Sequence, residues 1–161
     1  RPAEAPLPDP PVLPDGVRLR AFRPGADEAA LLAVNNRAFA THPEQGRWTE
    51  RDVLLREREP WFDADGLLLA VDSDDRVVGF HWTKVHDPVR GPGEVYVLGV
   101  DPDRHGGGLG RALTAAGLRY LRERRGTGEV ILYVEADNEP ALRVYRALGF
   151  TTRDTDVRYA R

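Results

Sequence analysis

Apolar residues along this chain fall into short blocks whose spacing alternates between two and three to four, as strands and helices require. From Val17 to Phe22 they alternate with Arg18 and Arg20, which predicts a half-buried strand that Pro24-Gly25 ends. Asp27 then starts a helix that sets Leu31, Val34 and Ala38 on one face. Thr49-x-x-Asp52 has the form of a capping box opening a second short helix, which Pro60 stops. Leu67 to Val71 reads as a compact apolar strand, Asp72 to Asp75 as a turn, and Val77 to Val85 as the hairpin partner. Glu94 to Val100 is a further strand. Beyond a glycine cluster, Leu109, Leu113, Ala116 and Tyr120 recur at helical spacing and predict a helix to about Arg124. Val130 to Val134 reads as a strand, Pro140 to Leu148 as a short helix, and the tail as a last strand or two. The order β-α-α-β-β-β-α-β-α-β predicts an α/β (α+β) domain, a mixed sheet with helices on both faces.

Composition narrows this picture. Arg1 to Gly16 hold six prolines, which favours an extended, semi-rigid linker (1–16) ahead of a single folded domain (17–161). The 161 residues, 41% of them hydrophobic, suit one core. A net charge of -3 and a pI near 5.8 provide no basic field for nucleic acid or an anionic membrane. The apolar runs stop far short of the roughly 20 residues that cross a bilayer, and the Pro-rich start has no signal-like apolar segment. Without cysteine there is no disulfide framework or thiolate chemistry, which suits a cytoplasmic domain. The absence of methionine and the start at Arg1 lead us to expect a fragment or processed product with something upstream. His81 and His86 lie five apart on a strand and so face opposite ways, while His42 and His105 lack ligand spacing, so no metal site is expected.

The chemistry concentrates in Val100-Asp101-Pro102-Asp103-Arg104-His105-Gly106-Gly107-Gly108-Leu109-Gly110-Arg111, between a strand and a helix. Four glycines in five residues let the backbone turn sharply and aim several N–H groups at one point, where the helix N-terminus adds partial positive charge. The ligand expected there is a phosphate or pyrophosphate. No Lys-Ser/Thr pair follows, so the segment is not a Walker loop, and Arg111 occupies the place of a Rossmann third glycine.

What the segment does resemble is the pyrophosphate loop of the GNAT acetyltransferase superfamily: Arg or Gln, two residues, Gly, one residue, then Gly or Ala. His105 stands in the first position, with Gly108 and Gly110 as the small residues. Asn138-Glu139-Pro140-Ala141, followed by Tyr145 and Gly149-Phe150, is similar to the superfamily's second signature. The resemblance implies a single, mostly antiparallel GNAT domain using acetyl-CoA. It implies that Leu98, Gly99, Val100, His105, Gly106, Gly107, Gly108, Leu109, Gly110 and Arg111 hold the cofactor, with Asn138, Ala141 and Arg143. A backbone N–H near Leu98 would polarise the thioester carbonyl. Glu94 takes the general base's place and Tyr145 the general acid's.

The runs from Leu31 to Phe39, His42 to Gly46, Gly79 to His86 and Gly93 to Val97 further resemble the mycothiol synthase family, two tandem GNAT halves that acetylate the cysteinyl amine of Cys-GlcN-Ins. Only the C-terminal, catalytic half is resembled, with a second half expected upstream. By that resemblance Glu44, Lys84, Glu94 and Tyr133 face the acceptor. Two alternatives stand beside it: acetylation of another amine, such as a peptide N-terminus or an aminoglycoside, and a non-catalytic CoA-binding module. The His81-Trp82-Thr83-Lys84 segment favours the mycothiol-type acceptor, and Glu94 with Tyr145 argues against mere binding.

Overall fold

A computed structural model describes residues 1–42, 45–87, 89 and 91–153. Five strands form one sheet in chain order: β1 (Arg18–Ala21), β2 (Leu67–Val71), β3 (Val77–Val85), β4 (Gly93–Val100) and β5 (Val130–Leu132). The first four pair antiparallel and β5 joins β4 in parallel, so the sheet is mixed and mostly antiparallel. Between β1 and β2 lie α1 (Glu28–Ala38) and α2 (Glu50–Glu57). Between β4 and β5 lies α3 (Leu109–Arg119), and α4 (Glu139–Ala147) follows β5.

The two faces of the sheet carry separate cores. On one, Leu31 and Val34 of α1 and Val53 of α2 pack on Leu67, Leu69, Phe80 and Trp82. On the other, α3 buries Leu109 and Leu113 against Ala70, Val78 and Val100, and Ala115 and Leu118, with Leu121 just beyond the helix, against Val95 and Val130. The sequence reading of α1 holds, with Asp27 at its N-cap; Asp27 also takes a two-pronged ion pair from Arg20, at 2.6 and 2.8 Å. Thr49 and Asp52 form the expected capping box of α2.

Three boundaries differ from the expectation. α3 is α-helical only to Arg119, then widens into a π-helical turn over Tyr120–Arg124, where Arg125 N–H reaches back five residues to the Tyr120 carbonyl (3.3 Å). Asp63 anchors that turn from outside by accepting from both the Tyr120 hydroxyl and Arg125. The buried stripe of α3 also runs through Ala112, Ala115 and Leu118, leaving Ala116 and Tyr120 at its margin. β5 stops at Leu132, two residues short of the expected Val134, and its last register partner is Val95. No strand forms at 151–153, and the rest of the expected tail strand lies at 154–161, outside the described residues.

Residues 1–16 contain no helix or strand and lie along the domain. Pro8 O accepts from Arg119 (3.1 Å), and Leu13 packs against the Leu109–Leu113 cluster.

Candidate active site

The site is built around an irregularity in β4. Val97 pairs with Trp82 and Val95 with Thr83, so Tyr96 is an extra residue with no partner on β3, a β-bulge. Its effect can be followed along the backbone. At the start of β4, Gly93 N–H donates to Glu129 O on the β5 side (2.9 Å), and at the other end Asp101 N–H donates to Val78 O on the β3 side (2.9 Å). Strand alternation from Asp101 then turns Gly99 toward β3, and Leu98 and Val100 toward the opposite edge. β5 covers that edge only from Gly93 to Val95. The peptide groups of Leu98 and Val100 therefore point to an edge of β4 that no strand pairs with among the described residues.

The glycine loop continues from this edge. Pro102–Arg104 makes one tight turn, and Gly106 (φ 87°) and Gly108 (φ 78°) adopt left-handed backbone, with Gly108 as the N-cap of α3. A Cβ at Gly106 or Gly108 would meet nothing within 4 Å, so these glycines serve the turn and leave the space before the helix open. Among the described residues, the N–H groups of Gly106, Gly107, Gly108, Leu109, Gly110 and Arg111 have no acceptor. Free donors at the start of an 11-residue helix fit a pyrophosphate. The His105 ring folds back on the strand end, with Nε2 3.2 Å from Val100 O. Pro14 approaches the loop, its Cγ 3.7 Å from where a Gly107 Cβ would stand. Asn138 caps α4 by accepting from Ala141 N–H (3.2 Å), while Arg143 is exposed on the same helix.

On the other side of the bulge, Glu94 sits directly across the β3–β4 ladder from Lys84. Its side chain is only 8% exposed, and Oε2 lies 2.6 Å from His86 Nε2. Lys84 Nζ lies over two rings, 4.8 Å from the Trp61 centroid and 5.3 Å from that of Tyr96. Trp61 and Tyr96 meet at 4.9 Å, and Arg56 Nε donates to the Tyr96 hydroxyl (3.0 Å). Leu55, Arg56, Glu59, Trp61, Lys84 and Tyr96 line an open hollow of about 390 Å³. A second hollow, of about 450 Å³, is lined by Glu50, Arg51, Leu54, Leu55 and Arg58 and holds none of the expected site residues.

Tyr145 is half-buried on α4, edge-on to Phe150 at 5.7 Å, and burial pushes its phenol above the usual tyrosine range. It stays protonated at neutral pH, the state a proton donor needs. Tyr133 lies just past β5 and is 76% exposed. Glu44 lies outside the described residues. The structure thus brings Glu94 and Lys84 together, and adds Trp61, Tyr96, Arg56 and His86, which the sequence reading had not given a role. Tyr96 carried a signal, since a residue two beyond Glu94 on a strand shares its face; Trp61 and Arg56 carried none. Among the described residues no three His, Asp or Glu side chains converge as a metal site would require, and no helix is long and apolar enough to cross a membrane.

A mixed, mostly antiparallel sheet whose parallel fourth and fifth strands pair only at their starts, beside a glycine-rich helix start, is the architecture of an acetyltransferase domain. The family described as acetyltransferase (GNAT) matches residues 31–150, and the chain belongs to it. Among curated relatives, it is 61% identical to the mycothiol acetyltransferase of Salinispora arenicola over 100% of this chain and 53% of that protein. It is also 61% identical to the mycothiol acetyltransferase of Actinosynnema mirum, over 96% of this chain and 51% of that protein. The chain spans about half the length of the curated relatives it matches. Among solved structures, a GCN5-related N-acetyltransferase from Sphaerobacter thermophilus superposes with a TM-score of 0.72 at 31% identity, over 91% of this chain and 44% of that one. The ribosomal-protein-S18-alanine N-acetyltransferase of Escherichia coli gives 0.68 at 25% identity, over 86% of this chain and 79% of that one.

Proposed function

We propose that this chain is the catalytic half of a mycothiol acetyltransferase, transferring acetyl from acetyl-CoA to the cysteinyl amine of Cys-GlcN-Ins. What carries the reading is β4, which holds a buried carboxylate, Glu94, on one side of its bulge and the open peptide edge of Leu98 to Val100 on the other. The identity to proteins named mycothiol acetyltransferase supports the acceptor, and their greater length supports a second GNAT half upstream.

In this reading the N–H groups from Gly106 to Arg111 hold the pyrophosphate, with Asn138, Ala141 and Arg143 of α4 beside them, and the peptides of Leu98, Gly99 and Val100 hold the pantetheine arm. Bound there, acetyl-CoA supplies the acetyl group as a thioester. Glu94 attracts the acceptor's ammonium and removes a proton from it, freeing the nitrogen lone pair. The Leu98 N–H, on the open edge, is the donor for the oxygen on which charge develops. The Tyr145 hydroxyl gives a proton to the departing sulfur. The hollow at Trp61, Lys84 and Tyr96 suits a hydroxyl-rich sugar and cyclitol, with aromatic faces for ring stacking and cations for hydroxyl bonding. Glu44 and Tyr133 complete the proposed acceptor site.

The test is CoA release with a panel of amines that includes Cys-GlcN-Ins, a peptide N-terminus and an aminoglycoside. Glu94→Gln and Tyr145→Phe should each lower kcat by roughly 10²- to 10⁴-fold while acetyl-CoA affinity stays unchanged. Near-normal turnover in both, or faster transfer to another amine, would overturn the assignment.

A further inference from the structure

Acetylating an ammonium leaves one proton over. In RNH₃⁺ + CH₃CO–SCoA → RNH–COCH₃ + HSCoA + H⁺, nitrogen goes from three hydrogens to one; sulfur takes one of the two, and the other reaches solvent in every turnover. If Glu94 takes that proton, it must lose it again before the next cycle, and its side chain is only 8% exposed.

We propose that His86 is the relay through which Glu94 discharges this proton to water; the proposal rests on the reading of Glu94 as general base. The Glu94 O–H bond breaks as an N–H bond forms at His86 Nε2, which lies 2.6 Å from Oε2. The imidazolium is 38% exposed and loses a proton to water, leaving Glu94 ionised and the ring neutral. The ring therefore spans the gap between a buried carboxylate and bulk solvent. Other charged groups near Glu94 are poorly placed for this. Lys84, across the ladder, is cationic and turned onto Trp61 and Tyr96; Arg56 and Glu59 belong to the hollow around those rings; and β5 presents Ile131 at the matching register. The backbone fixes the imidazole's position: His86 N–H donates to Pro92 O (3.2 Å), closing the β3–β4 connection. A side-chain substitution keeps that bond, so variants should fold.

The experiment measures kcat and both KM values for His86→Ala, His86→Gln and Glu94→Gln at low buffer, across pH and with added imidazole. It also records the His86 ring NMR signals in ligand-free wild-type and Glu94→Gln protein. We expect His86→Ala to lose roughly 10²-fold in kcat at low buffer with both KM values unchanged, and imidazole to restore turnover. His86→Gln, which can hydrogen-bond but cannot take up and release a proton near neutral pH, should behave in the same way. The ligand-free His86 signals should shift in Glu94→Gln. Full turnover of His86→Ala beside an inactive Glu94→Gln would overturn the relay and leave the base assignment standing. A loss that glutamine repairs, or that imidazole does not relieve, would reduce His86 to a packing role and overturn the proposal. Unshifted ring signals in Glu94→Gln would remove the contact on which it stands, and an active Glu94→Gln would remove the base itself.

Discussion

Acid should loosen this fold through His81, and replacing that residue with glutamine should remove much of the effect. The His81 ring is fully buried between β3 and α3, with Nδ1 2.8 Å from Leu113 O and Nε2 without a partner. Burial lowers its pKa from 6.5 to about 4, partly offset by the bond to Leu113. The sign follows from linkage. Between those values the unfolded chain binds a proton that the folded ring refuses, so the stability is complete above 6.5 and is lost as the pH falls toward 4. The full gap between the two values corresponds to about 3 kcal/mol, of which roughly 2 kcal/mol is gone by about pH 5. Glu57, held above the usual carboxylate range by burial and by Glu28, acts in the opposite direction; it is present in both proteins and cancels in their difference. Glutamine keeps a donor for Leu113 O and does not titrate. The assay is urea unfolding followed by tryptophan fluorescence, since Trp48 and Trp82 are buried in the core and Trp61 packs against it. Wild type should lose roughly 2 kcal/mol more than His81→Gln between about pH 7.5 and pH 5. Parallel losses in the two proteins would refute the reasoning.

Three further outcomes follow from the geometry. Gly108→Val strains a φ of 78° by about 1–2 kcal/mol without a core clash, so it should fold yet lose at least roughly tenfold in acetyl-CoA affinity by calorimetry; unchanged affinity would remove the glycine loop from the cofactor site. Gly117→Ala would set a methyl 2.1 Å from His81 ring atoms, and the overpacking should cost about 1–3 kcal/mol in thermal or urea unfolding; an unchanged transition would contradict the close approach of α3 to β3. Lys84→Gln removes a cation from the rim of the proposed acceptor hollow, so acceptor KM should rise roughly tenfold with kcat nearly constant; the reverse split would place Lys84 in the chemical step.

The elements that local pattern controls were legible in the amino-acid sequence. β2 and β3 fall on the expected residues, Thr49 and Asp52 cap α2, and the glycine cluster forms the turn into α3. Each depends on interactions within a few residues: side-chain alternation, a cap reaching one turn ahead, a positive φ that glycine tolerates. The same reasoning supported Glu94, Lys84 and the loop glycines as site residues through family resemblance. Local pattern gives His86 no role beyond a metal ligand's, which its spacing excludes, and gives Trp61 and Arg56 none.

Those residues became visible only when the strands were in register. His86 meets Glu94 because the β3–β4 ladder sets Lys84 opposite Glu94 and brings the end of one strand beside the start of the other. Trp61 reaches Lys84 and Tyr96, 23 and 35 positions further along the chain, distances over which periodicity carries no information. The bulge at Tyr96 decides more than any single side chain. By adding one unpaired residue to β4 it switches which peptide groups face away from β3, so that those of Leu98 and Val100 lie on the edge that β5 leaves unpaired. Nothing in the local sequence around Tyr96 requires it, since tyrosine and valine suit a regular strand equally well. Apolar spacing and turn chemistry determined which segments became strands and helices; the pairing of distant strands determined which peptide groups stayed unpaired, because an extra residue acts only against the partner strand that lacks one.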